Sequence, residues 1–168
     1  DNMNISVIGC GRWGSFIAWY LDRLNHTITL YGRENSQKLQ TFRKQRTNGL
    51  VTLNEGIQLT SDLKNAVESA EILVVSIGAQ SFRGFMQQLA ALDLGGKTIV
   101  LCMKGIEADT GKRLTQIVQE YAPKVPVAIW VGPGHVQNFV RGIPNCMVID
   151  SSSMEIKEYL VKAFSSDL

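Results

Sequence analysis

Three glycines, Gly9, Gly11 and Gly14, stand in the spacing G-x-G-x-x-G within Ile8-Gly9-Cys10-Gly11-Arg12-Trp13-Gly14. That spacing suits the capture of a pyrophosphate. The first glycine lets the chain turn sharply, the second lets the anion reach the backbone, and the third lets a helix close on a strand. The first N–H groups of such a helix have no partner inside it and carry the positive end of its dipole, so they complete an anion site. The motif means little alone in a chain with 15 glycines, since glycine also serves ordinary turns. Its position favours a dinucleotide site: it follows an apolar run, Ile5 to Ile8, and opens an amphipathic segment, which is the context such a site requires, with a glycine turn in some other α/β domain as the alternative.

Three further places carry chemistry. Arg33, in Tyr31-Gly32-Arg33-Glu34, falls about twenty residues after the glycine turn, where an acid normally holds a ribose hydroxyl. A cation there suits a 2′-phosphate or stacks on adenine, which favours NADP over NAD, although an arginine in solvent would look the same. Lys104, in Cys102-Met103-Lys104-Gly105-Ile106-Glu107, follows an apolar run and is placed to meet an anionic substrate, with a plain loop lysine as the alternative. Val131-Gly132-Pro133-Gly134-His135-Val136 is a turn feeding a helix start, a second source of free N–H groups. His135 there is a proton carrier or, more commonly, a structural hydrogen-bonding residue.

These residues need a frame. Strand-like runs at 4–9, 27–31, 72–77, 98–102, 127–131 and 146–149 are mostly apolar without alternation, the pattern of strands buried on both faces. Helical patterns at 13–24, 36–46, 62–69, 81–92, 110–121, 136–141 and 154–164 alternate with them. Asp109 or Thr110 reads as the cap of one helix, and Ser152 with Glu155 as a capping box on another. Segment 49–60 reads as a short β-excursion turning at Asn54-Glu55-Gly56. The expected fold is α/β: a doubly wound, mostly parallel Rossmann-type sheet with helices on both faces and ligands at the carboxyl ends of the strands.

Composition narrows the function. One domain of 168 residues, 45% hydrophobic and 19% charged, is an ordinary globular chain, and a net charge of +2 gives no reason to expect nucleic acid. The basic run Arg43-Lys44-Gln45-Arg46 reads as a solvated helix end. No apolar run reaches the ~18 residues of a membrane span and no signal sequence is evident, so a cytoplasmic protein is expected. Cys10, Cys102 and Cys146 form no C-x-x-C pair and read as reduced and buried, with no metal site. A phosphate loop at Gly105–Lys112 fails because Arg113 stands where Ser or Thr is required. The absence of a tyrosine followed four residues later by lysine removes the usual short-chain reductase arrangement.

Taken together and in order, several motifs resemble the N-terminal nucleotide-binding domain of the NAD(P)-dependent glycerol-3-phosphate dehydrogenases. They are Gly9-Cys10-Gly11-Arg12-Trp13-Gly14, Leu30-Tyr31-Gly32-Arg33, Ala79-Gln80-Ser81-Phe82-Arg83, Lys104-Gly105-Ile106-Glu107, Gly132-Pro133-Gly134-His135 and Arg141-Gly142-Ile143-Pro144. The likeness runs over nearly the whole chain. It implies cofactor contacts at Arg12, Trp13, Arg33 and Val136 beside the three glycines, and places Lys104 between cofactor and substrate. Gly132 and Gly134 fall on the substrate side. The substrates implied are dihydroxyacetone phosphate and sn-glycerol 3-phosphate, with a homodimer among the assemblies open to the full-length protein. The resemblance also implies a further helical domain carrying the general-base lysine, so 1–168 is expected to be a fragment that holds no catalytic residue, binds cofactor and turns over little or no substrate.

Two departures touch the substrate side. The family's serine in G-P-S-H is Gly134 here, and its Y-L-P turn is replaced by Gly49-Leu50-Val51-Thr52-Leu53. A dehydrogenase of another anionic hydroxy acid, and a non-catalytic nucleotide sensor, are the alternatives left open.

Overall fold

The computed structural model describes residues 2–131, 148–150 and 153–165. Six strands run parallel: β1 (Asn4–Ile8), β2 (Thr27–Tyr31), β3 (Gln58–Thr60), β4 (Ile72–Val75), β5 (Thr98–Leu101) and β6 (Val127–Val131). A seventh, β7 (Val148–Asp150), pairs antiparallel with β6. The order across the sheet is β3-β2-β1-β4-β5-β6-β7, so it reverses between β1 and β4, and a crevice must open there at the carboxyl ends.

The helices described are α1 (Arg12–Arg23), α2 (Gln37–Gln45), α3 (Leu63–Glu68), α4 (Phe82–Ala90), α5 (Leu114–Tyr121) and α6 (Met154–Phe164), with a 3-10 turn at Ala79–Ser81. None is long and apolar enough to cross a membrane.

Alternate residues of each strand feed opposite faces. Ile72 and Val74 join one core with Phe16 and Leu21 of α1, Leu39 and Phe42 of α2 and Leu160 of α6. Leu73 and Val75 join the other with Phe82, Met86 and Leu89 of α4 and Ile117 and Val118 of α5. This two-sided burial is why central strands such as β4 and β5 read as nearly unbroken apolar runs.

Strand and helix positions follow the sequence pattern, with differences at the ends. Ser36 and Asp62 cap α2 and α3, accepting from the N–H groups of Leu39 and Asn65. Helix α5 begins at Leu114 rather than near Thr110, because Thr110 Oγ1 donates to Glu107 (2.6 Å) and the chain from Ile106 to Arg113 closes on itself as a loop. On α6 the cap is Ser153, accepting from Ile156 N; Ser152 lies outside the described residues. Arg46 is no solvated helix end: its Nη2 donates to the carbonyls of Asn54, Glu55 and Ile57 (3.1, 2.8 and 3.0 Å), fastening the 49–60 excursion, which ends by adding β3 to the sheet.

Two long-range ties fix α6. Tyr20 Oη donates to Phe164 O at 2.7 Å, and the Phe164 ring stacks on Trp130 with centroids 4.2 Å apart. His26 accepts from Met3 N at its Nδ1 (3.1 Å), so its Nε2 carries the proton and donates to Ala163 O (2.7 Å).

Candidate functional site

The turn after β1 is built by close approach. Gly9 has φ +113°, and a Cβ there would lie 2.0 Å from Ser76 O, at the end of neighbouring β4. A Cβ on Gly14 would lie 1.8 Å from Gly9 O. Both are far inside contact distance, so neither position accepts a side chain without parting strand from helix. Gly11 differs, because a Cβ there would meet only the mobile Nζ of Lys38, at 3.6 Å. Space, not packing, therefore lies over Gly11.

That space is a crevice of about 830 Å³ at the carboxyl ends of β1, β2 and β4. Its floor includes Gly9, Cys10 and Gly11; Gly32, Arg33, Ser36 and Lys38 line one side, and Ser76, Gly78 and Ser81 the other. Within α1 the first N–H bonded to the helix is that of Ser15, to Gly11 O at 2.9 Å. Helix geometry points the N–H groups of the first turn toward the crevice end. Two cations, Arg33 and Lys38, and no carboxylate stand among the described lining residues.

The acid beside Arg33 is occupied elsewhere: Glu34 accepts from Ser61 and pairs with Arg43 at 3.6 Å. Arg33 is exposed and free to turn to a ligand. Burial pushes the Tyr31 phenol up, with the Arg33 charge working against it, so at neutral pH Tyr31 presents a hydroxyl to the crevice wall.

Arg12 and Trp13 sit on the first turn of α1, Arg12 exposed and Trp13 half-buried, edge-on to Phe16 with centroids 5.9 Å apart. Among the described residues neither forms the crevice wall. Lys104 is exposed beyond the end of β5 and is not among the residues that line the crevice; Gly105 approaches Ala79 closely enough that a Cβ would lie 3.1 Å from Ala79 Cβ. Gly132, Gly134, His135 and Val136 lie outside the described residues, as does Cys146. Cys10 is buried; Cys102 is half-buried, and burial pushes its thiol well up, which keeps it protonated and unreactive.

Lys38 escaped the sequence reading. Its only signal is position, in the first turn of the helix after β2, whose start faces the crevice once the sheet order is known. Also unread was the partnership of Arg83 with Glu107, described below.

Sheet order, glycine turn and anion-receptive crevice define a dinucleotide-binding domain of the Rossmann type. The family model described as NAD-dependent glycerol-3-phosphate dehydrogenase N-terminus matches residues 4–157, and the chain belongs to that family. It is 34% identical over 167 residues to glycerol-3-phosphate dehydrogenase [NAD(P)+] of Thermoanaerobacter sp. (strain X514), covering 98% of this chain and 50% of that one. The corresponding protein of Bradyrhizobium sp. (strain ORS 278) is 33% identical over 164 residues, covering 96% and 50%. The chain thus spans about half the length of these relatives. The crystal structure of glycerol-3-phosphate dehydrogenase from Coxiella burnetii superposes with a TM-score of 0.90 at 19% identity, over 99% of this chain and 52% of that one, a likeness of fold.

Proposed function

We propose that this chain is the cofactor-binding part of an oxidoreductase that interconverts dihydroxyacetone phosphate and sn-glycerol 3-phosphate with NADP(H) or NAD(H). In this reading 1–168 forms the N-terminal domain of a longer cytoplasmic protein, whose following helical domain brings the general-base lysine. The observation that carries the reading is the crevice: open space over Gly11, the start of α1 facing it, and two cations without a lining carboxylate.

Residues of this chain bind and orient. The pyrophosphate lies against Gly11 and the first turn of α1, Arg33 meets the adenosine end, and Arg12, Trp13 and Val136 complete the cofactor contacts. Lys104 offsets the negative charge of the phosphorylated substrate, and Gly132 and Gly134 contribute to binding that substrate. When bound, the nicotinamide supplies or accepts the hydride.

The test is a calorimetric titration of the chain with NADPH and NADH. NADPH binds at least as tightly as NADH, and the preference shrinks in Arg33→Ala and at high salt, because an exposed charge contact is screened. A strong preference for NADH in the unaltered chain refutes the role of Arg33, and failure to bind either refutes the domain's role altogether.

A further inference from the structure

Two of the segments that drew attention in the sequence, Ala79-Gln80-Ser81-Phe82-Arg83 and Lys104-Gly105-Ile106-Glu107, grip each other in the structure. Arg83 holds Glu107 with two bonds, Nε to Oε2 at 2.7 Å and Nη2 to Oε1 at 3.0 Å. The fork fits the carboxylate bidentately, a geometry lysine cannot copy. Glu107 is nearly buried, at 9% exposure, so the pair is sheltered from the solvent that weakens surface ion pairs. Gln80 adds a second hold: its Nε2 donates to Ile106 O (3.4 Å) and its Oε1 accepts from Ala108 N (3.3 Å).

The grip has backing on its far side. Arg83 Nη1 also donates to Glu120 and to Tyr121 Oη (3.0 Å), and Lys112 pairs with Glu120. The loop beyond Glu107 is closed by Glu107 N to Lys112 O and Gly111 N to Glu107 O, both 2.8 Å. Arg83, two residues from Ser81 and one from Gly84 of the crevice wall, therefore ties that wall to the loop.

Lys104 hangs between two fixed points. On one side Cys102 N donates to Val75 O at 2.9 Å, continuing the sheet; on the other Ile106 and Glu107 are clamped. Between clamp and lysine lies Gly105, with φ +154° and its Cα pressed toward Ala79. Among the described residues Lys104 itself makes no hydrogen bond or ion pair. Its placement is set through its backbone, by the residues on either side of it.

We propose that Arg83 and Glu107 are positioning residues that hold Lys104 at the crevice mouth for the phosphorylated substrate. This rests on the role given to Lys104 in the proposed function, and the test separates the two. In the complete enzyme that carries this chain, kcat/KM for dihydroxyacetone phosphate is measured in Arg83→Gln, Glu107→Gln, Lys104→Ala and the double variant Arg83→Gln/Lys104→Ala. NADPH affinity and thermal midpoint are measured beside it.

Arg83→Gln and Glu107→Gln are each expected to lower kcat/KM by about tenfold while NADPH affinity stays within about twofold, as for residues coupled through a shared partner. In the Lys104→Ala background, removing Arg83 costs nothing further, an outcome that a general structural role does not produce. Should Arg83→Gln fail to fold, Glu107→Gln, which keeps the shape and exchanges one acceptor oxygen for a donor NH2 group, decides. Full activity in both clamp variants while Lys104→Ala is slow overturns the clamp alone, and so do losses that multiply in the double variant. An unaffected Lys104→Ala refutes the role of Lys104, and the clamp falls with it.

Discussion

Placing valine at Gly11 separates binding from folding more cleanly than any other change in this site. The backbone at Gly11 has φ −73° and ψ −166°, an extended conformation open to any residue, and the first atom of a new side chain meets only Lys38 Nζ at 3.6 Å. The stability cost is that of a poor helix cap, about 0.5–1 kcal/mol. The binding cost is larger, because the side chain fills the space over the start of α1. Losing two charge-assisted hydrogen bonds to a pyrophosphate costs roughly 3 kcal/mol, or about a hundredfold in affinity.

Gly14→Ala is the control of opposite sign. Its Cβ would lie 1.8 Å from Gly9 O, where ordinary contact begins at 3.4 Å. Alanine's better helix propensity returns about 1 kcal/mol, but prying helix from strand costs on the order of 3 kcal/mol or more, so this variant is destabilised on balance. Urea unfolding and NADPH calorimetry on both variants measure the contrast. Unchanged NADPH affinity in Gly11→Val would show that the pyrophosphate lies elsewhere, and a Gly14→Ala chain as stable as its parent would refute the packing argument.

Acid should loosen the Arg83 network in a defined window. Arg83, then Lys112, hold Glu120 down at about 2, against about 4.3 for an ordinary Glu. A depressed carboxylate contributes stability fully above the unfolded value, and loses it as pH falls from about 4.3 toward the folded value. Glu107, lowered by Arg83 and Thr110, acts with the same sign. The unfolding midpoint of the chain should therefore fall more steeply over that window than that of Glu120→Gln; equal slopes would refute the assignment. His26→Ala strands Met3 N and Ala163 O and should cost roughly 1–3 kcal/mol in denaturation, with NADPH affinity unchanged. A variant as stable as the parent would mean that water replaces the imidazole.

What could be read from the chain beforehand divides along physical lines. Strands such as β4 and β5 announced themselves because burial on both faces demands nearly unbroken apolar residues. The direction of β7 did not, since side-chain burial is alike in parallel and antiparallel pairing. Residues Gln58 to Thr60 read as part of an excursion because three residues at a sheet edge leave almost no pattern. The start of α5 was misplaced for a different reason: Thr110 has the right chemistry for a cap, but Glu107 takes its hydroxyl, and only the distant Arg83 explains why Glu107 is there. Within the site, the glycines were legible because their spacing is itself the geometry. Arg33 was legible by its distance from them. Lys38 was not, because nothing local tells a helix-surface lysine over a crevice from one over water.

The ties between α1 and α6 have a consequence for how the molecule is made. Tyr20 and Phe164 are 144 positions apart, and His26 and Ala163 are 137 apart. A ribosome adding about 5–20 residues per second releases Tyr20 and His26 many seconds before their partners exist. Through that interval the face of Trp130 that stacks on Phe164 stays bare, as does the flank of α1 that receives α6. The nascent sheet must wait with an apolar side open, and those bonds can form only when the last turn of α6 emerges. A translational pause just before Phe164 would thus lengthen the period in which this domain is most exposed to chaperones and to its neighbours.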